Sequence, residues 1–116
     1  MYIFTAPAKA YEVPFTYEGL DAFIKAGRSE AYRMIGTTLE VSHWYAGRIQ
    51  IKLYDTIIGE VLSNGNVAVM EAINYHGSQA TTWWVQKLLN DNRCGGFVCR
   101  EKGKYAVAGQ AYRRNI

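Results

Sequence analysis

The residues with the most chemistry to offer lie together, in the run Asn74-Tyr-His-Gly-Ser-Gln-Ala-Thr-Thr-Trp-Trp84, which sets short polar caps and two tryptophans against the predicted start of an amphipathic helix. A helix entrance exposes unpaired backbone N–H groups and the positive end of the helix dipole, and both suit phosphate or another anion. Ser78, Thr81 and Thr82 fall within one turn of that entrance, and each hydroxyl can accept from a free N–H. Capping alone would account for such residues. The surplus of hydroxyls beside His76 points further, to a contact with a ligand. His76 has the side chain of a general base, but no elbow of the form Gly-x-Ser-x-Gly accompanies it, so turnover is not expected.

Trp83 and Trp84 project about 100° apart on a helix, so one stripe cannot hold both. Trp84 shares its face with Val85, Leu88 and Leu89 and is expected inside. Trp83 falls beside Lys87, where it is free to stack on a base, a sugar or a partner subunit. A tryptophan covered by a loop or by the tail is the plainer alternative.

Charge is spread unevenly. The net charge is only +3, yet residues 93–116 hold Arg93, Arg100, Lys102, Lys104, Arg113 and Arg114 against Glu101 alone. Arginine forks match phosphate oxygens in pairs, which makes Arg113 and Arg114 candidates, joined by Arg93 and Arg100 and by Arg28 and Arg33 from the first helix. A solvated basic surface is the simpler reading of the same residues. The long strands carry no basic stripe, so duplex DNA is not expected as a partner; a compact phosphate ligand fits better. A Gly-x-x-x-x-Gly-Lys loop and a Gly-x-Gly-x-x-Gly fingerprint are both missing, which sets aside NTPases and dinucleotide dehydrogenases of those classes.

Cys94 and Cys99 have no second pair, and a four-ligand zinc site would need His43 and His76 to converge on them. Neither a metal nor another cofactor is therefore expected. A disulfide between the two cysteines stays open, but without a secretory segment reduced thiols are the more natural reading. No signal peptide is visible, and no apolar run approaches the ~20 residues of a membrane span, so the expected location is cytoplasmic, without a membrane partner.

The elements that must position these groups follow from periodicity. Thr16 is the expected N-cap of a first helix with Leu20, Phe23 and Ile24 on one face, ending near Gly27. Residues 28–35 fit a further helical turn and a strand equally. From Thr37 the period becomes two: 38–44 and 48–54 predict a hairpin around Tyr45-Ala-Gly47, and 56–62 and 66–70 a second around Ser63-Asn-Gly65. A helix from Gln79 or Thr82 to Leu89 comes next, and then a last hairpin around Lys102-Gly-Lys104. Met1–Phe4 is a short strand candidate. The expected fold is α+β, an antiparallel sheet of about four to six strands packed against two helices.

With 116 residues, 49% of them apolar and 20% charged, the chain matches one domain over 1–116. Nine tyrosines and three tryptophans exceed what a minimal core needs, and such rings favour interfaces, so a homo-oligomer is expected.

The runs Tyr54-Asp-Thr-Ile-Ile58, Asn64-Gly-Asn-Val67 and Tyr75-His-Gly-Ser-Gln-Ala-Thr-Thr82, with Leu88 beyond them, resemble a small domain of phages and bacteria that ends in Tyr-Ser-x-Thr-Thr before a helix. Here His76-Gly77 is inserted and Trp83-Trp84 replaces the common Ser-Lys-His. The resemblance spans about residues 50–90 and implies a phage-like setting and little chemistry. In size, α+β order and basic, aromatic C-terminal half, the chain also resembles the phage Thoeris anti-defence sponges. That second resemblance implies an oligomer that stores a cyclic ADP-ribose-type signal, with an aromatic ring stacking the adenine and Arg and Asn holding phosphates. By residue type those roles fall to Trp83, Asn92, Arg28 and Arg113 or Arg114, beside the helix-entrance Ser78 and Thr82. The expected function is thus a phage accessory protein that sequesters a small cyclic nucleotide without catalysis. The alternatives are a protein-binding inhibitor of a host defence factor and a small nucleic-acid-binding module.

Overall fold

Thr16 opens the first helix, α1 (Tyr17–Lys25), as its side chain dictates: its backbone is extended and its Oγ1 accepts from the Gly19 N–H at 3.1 Å. Glu18 in the first turn and Lys25 in the last suit the helix dipole, and Leu20, Phe23 and Ile24 form the buried stripe. The Gly27 N–H closes the end on the Ile24 carbonyl. The structure is a computed structural model that describes residues 4–69 and 79–94 and the backbone of 100–101, 104–105 and 111–112. The expected strand over Met1–Phe4 lies, apart from Phe4, outside the described residues, as do Met70 at the end of the expected strand 66–70 and residues 74–78 of the expected helix entrance.

Five strands come after α1 as an antiparallel meander: β1 (Tyr32–Ile35), β2 (Leu39–Tyr45), β3 (Arg48–Leu53), β4 (Thr56–Leu62) and β5 (Val67–Val69). The two expected hairpins turn where glycine supplies a left-handed backbone, at Gly47 with φ 76° and Gly65 with φ 88°. Residues 28–35, which fit two periods, end in a strand because β2 offers a partner: Tyr32 pairs with Ser42, and the Ala31 carbonyl accepts from the His43 N–H at 2.8 Å. The expected last hairpin is present in backbone form, with β6 (Arg100–Glu101) paired to β7 (Lys104–Tyr105). Finally β8 (Ala111–Tyr112) pairs with β5, which makes a six-stranded sheet in the order β1-β2-β3-β4-β5-β8.

The register decides which face is buried. Arg33, Val41, Ile51, Gly59 and Val69 form one row across the sheet, flanked by Leu39 with Leu53 and by Ile49 with Val61 and Val67. Both helices cover this face. Arg33 donates to the Phe23 carbonyl of α1 at 2.9 Å, and Gly59 lies under Leu88 of the second helix, α2 (Gln79–Asp91). On α2 the buried residues are Ala80, Thr81, Trp84, Val85, Leu88 and Leu89, so Trp84 is interior as its stripe requires. None of the described helices is long and apolar enough to cross a membrane.

The α2 contact with the sheet leaves no room at Gly59, where an added Cβ would meet Leu88 Cδ2 at 2.8 Å and the Ala68 carbonyl oxygen at 3.1 Å. Gly59→Ala should lower the unfolding free energy by about 1–3 kcal/mol in chemical denaturation, because the neighbours on both sides are packed. Wild-type stability in this variant would contradict the packing described.

Candidate functional site

A groove runs along the side of α2 that the sheet leaves uncovered. Gln79, Thr82, Trp83, Gln86, Lys87, Asn90 and Asp91 line it at successive helical spacings, and Ala10 and Tyr11 form the opposite wall. Its volume is about 750 Å³, within the range of small-molecule sites. At about 1.5 Å of rise per residue, the helical wall is roughly 18 Å long.

The opposite wall is a single 3-10 turn, Ala8–Tyr11, in a segment whose two prolines keep it out of regular pairing. Its anchor is Phe15, a little further along the chain. The Phe15 N–H donates to Asp91 Oδ2 at 2.8 Å, and Asn92 Nδ2 donates to the Phe15 carbonyl at 2.6 Å and to the Leu88 carbonyl at 2.8 Å. Both backbone groups of Phe15 are thus gripped by side chains at the end of α2. The Phe15 ring stacks on Trp84 with 9° between planes and 5.6 Å between centroids, and Lys87 Nζ sits 4.9 Å from the Phe15 centroid. Ala10 and Val13, on either side of the end of the 3-10 turn, are buried in the core.

The floor is aromatic. Trp83 is half-buried, with Tyr11 edge-on at 5.5 Å, Phe4 at 5.9 Å and Trp84 nearly perpendicular at 5.1 Å. Tyr11 itself is 72% exposed, which leaves its ring available to close over a guest. Charge in the groove cancels: Lys87 Nζ donates to Asp91 Oδ2 at 2.7 Å, and that oxygen already accepts from Phe15. The groove can therefore stack a flat ring and offer amide groups to its edges. Its lining residues include no histidine, cysteine or serine, and among the described residues no cluster of three or more potential metal ligands occurs.

The residues singled out by sequence separate here. Thr82 and Trp83 both line the groove. Asn92 does not: it is wholly buried, with its amide nitrogen committed to two backbone carbonyls, so the role of phosphate holder is corrected to that of a clamp. Arg28 is exposed beyond α1 and is not part of the groove lining. Arg33 is occupied by the Phe23 carbonyl and ring. Arg93 takes a left-handed φ of 56° and closes α2, with its N–H on the Asn90 carbonyl and the Cys94 N–H on that of Leu89. Ser78, His76, Cys99, Arg113 and Arg114 lie outside the described residues.

His43 belongs to another group. Its Nε2 is 2.9 Å from Asp21 Oδ1, its ring meets Tyr17 edge-on, and Lys25 Nζ holds Asp21 Oδ2 at 2.9 Å. The Lys25 hydrogen bond, helped by the charges of Lys25 and His43 and opposed by burial, keeps the Asp21 carboxyl below its ordinary range. Cys94 is buried just past the end of α2, where its Sγ donates to the Asn92 carbonyl at 3.8 Å. Ala10, Tyr11, Gln79, Gln86, Lys87, Asn90 and Asp91 are groove residues to which sequence reasoning gives no ligand contact, although a second stripe through Gln79, Thr82, Trp83, Gln86 and Asn90 has helical spacing and is a readable signal.

Comparison of the chain with protein-family models, with curated proteins and with solved structures finds no match.

Removing the clamp should be felt in stability. Asn92→Ala loses two hydrogen bonds and strands the Phe15 carbonyl, while it also removes a buried Oδ1 that has no partner among the described residues. The balance predicts a loss of about 1–2 kcal/mol in denaturant titration. Asn90→Ala, two residues away and exposed, should stay within about 0.5 kcal/mol of wild type. Equal effects at the two positions would contradict the clamp.

Proposed function

We propose that the protein is a non-catalytic binding protein that captures a small nucleotide in the groove between α2 and the 3-10 turn. In this reading it acts for a phage as a sponge that withdraws a cyclic nucleotide immune signal, such as a cyclic ADP-ribose isomer. The observation that carries the reading is Trp83, whose half-buried indole forms the floor of a groove of about 750 Å³ with Tyr11 beside it. A base laid on that indole gains about 1–3 kcal/mol from stacking, roughly a factor of 5 to 150 in affinity. Capture without turnover is supported by the lining: aromatic rings, carboxamides and one internally neutralised ion pair.

A specific observation favours the second reading, a protein-binding inhibitor. Trp44 and Tyr45 stand 62% and 72% exposed where β2 turns into β3, and tryptophan and tyrosine are the side chains that most often anchor a protein partner. A second copy of the chain would use the same apex. Nucleic-acid binding is less well served, because the cations Lys52 and Arg48 on the sheet are paired with Glu40 and Glu60.

Calorimetric titration with cyclic ADP-ribose isomers and with cyclic di- and trinucleotides should give saturable heat for at least one of them. Trp83→Ala should weaken that binding at least about tenfold, and Trp44→Ala should leave it unchanged. Silence from every nucleotide, together with a single stoichiometric protein recovered from host lysate only when Trp44 is intact, would replace the first reading with the second.

A further inference from the structure

The hydrogen-bonding polarity of the groove narrows what fits it. A carboxamide offers a carbonyl oxygen that accepts and an NH₂ that donates twice. At one end of the groove Gln79 Oε1 is taken by the Phe4 N–H at 3.0 Å. At the other end Asn90 Oδ1 is taken by Gln86 Nε2 at 2.9 Å. Both side chains are exposed, and the part of each that these bonds leave wholly uncommitted is its NH₂ donor. Beside Asn90, one oxygen of the Asp91 carboxylate, Oδ2, already receives both the Phe15 N–H and Lys87 Nζ.

Position adds to polarity. Gln79 precedes Trp83 by four residues and Asn90 lies seven beyond it, which places the two donors about 6 Å and about 10 Å along the helix on either side of the indole. From the placement of these donors we infer that the ligand is two-headed: a planar ring over Trp83 with hydrogen-bond acceptors extending from it in both directions, as in a dinucleotide. This rests on the groove being the nucleotide site proposed above, and it specifies which nucleotides the site takes. A mononucleotide stacked on Trp83 has its phosphate at one end only and leaves the other donor to water. An extended peptide presents N–H and C=O groups alternately, and its N–H groups would have to share the oxygens that Gln79 and Asn90 already engage, whereas phosphoryl and ring acceptors meet uncommitted donors at both ends.

The test uses adenosine monophosphate and cyclic diadenylate as probes, with Trp fluorescence or calorimetry as the readout, on the wild-type chain and on Gln79→Glu and Asn90→Asp. Each substitution keeps the size of the side chain and replaces its N–H donors with a charged acceptor. The dinucleotide should bind at least tenfold tighter than the mononucleotide. Each variant should weaken the dinucleotide about tenfold, and one of the two should leave the mononucleotide unaffected. Both side chains are exposed, and circular dichroism and the denaturation midpoint should stay close to wild type.

Equal affinity for the two probes, with no effect of Asn90→Asp, overturns the two-headed ligand and leaves the groove a site for a single base. Binding of neither probe overturns this inference and the nucleotide reading together. Displacement of the dinucleotide by an uncharged extended tetrapeptide of equal affinity also overturns it, by moving the site to peptide recognition.

Discussion

The grip of α2 on the backbone of one residue, Phe15, organises the N-terminal half of the molecule. Its N–H goes to Asp91 and its carbonyl to Asn92, partners 76 and 77 residues away in the chain, and its ring is stacked on Trp84. A loop segment must find partners for its polar backbone groups, and here the end of a helix supplies them with side chains as a neighbouring strand would. Upstream of Phe15 this fixes the 3-10 turn that walls the groove; downstream it fixes Thr16 and with it the start of α1. The closing turn of α2, with Arg93 held left-handed behind the clamp, sets Asp91 and Asn92 at the right height.

The same grip explains why the groove is neutral. Asp91 is needed for the Phe15 N–H, and its counter-charge is Lys87 one helical turn earlier, whose Nζ also sits over the Phe15 ring. The pair belongs to the architecture and leaves recognition to Trp83, Tyr11 and the carboxamides. Elsewhere the charges obey a similar rule. Asp21 joins α1 to β2 through His43 and is balanced by Lys25, and the cations of β3 face carboxylates across the ladder. The exposed apex at Trp44 and Tyr45 stands outside this pattern of satisfied groups, and nothing in the fold of the described residues requires it to be aromatic.

What could be read from the sequence was what local rules govern. Thr16 as a cap, the two-residue period of β2 to β4, the glycines at 47 and 65, and the division of Trp83 from Trp84 by their angle on the helix all depend on near neighbours. Residues 28–35 were ambiguous because their pattern satisfies two periods, and the partner strand decided between them. The groove was half legible. Trp83 and Thr82 lie on a stripe of α2 with helical spacing, but the opposite wall comes from a segment that reads as plain loop, joined to α2 by contacts across most of the chain. Asn92 shows the limit most clearly. An asparagine just past a helix end looks equally like a ligand contact or a capping residue until the carbonyls it serves are known.

Amide hydrogen exchange at Phe15, measured by NMR in the unliganded protein, tests the central claim most directly. Opening this N–H to water requires α2 to release the segment, so the amide should exchange as slowly as those of Ile51 and Val61 in the central strands. Exchange of the Phe15 amide at the rate of an exposed turn would show that the clamp does not hold, and with it would go the fixed wall of the groove.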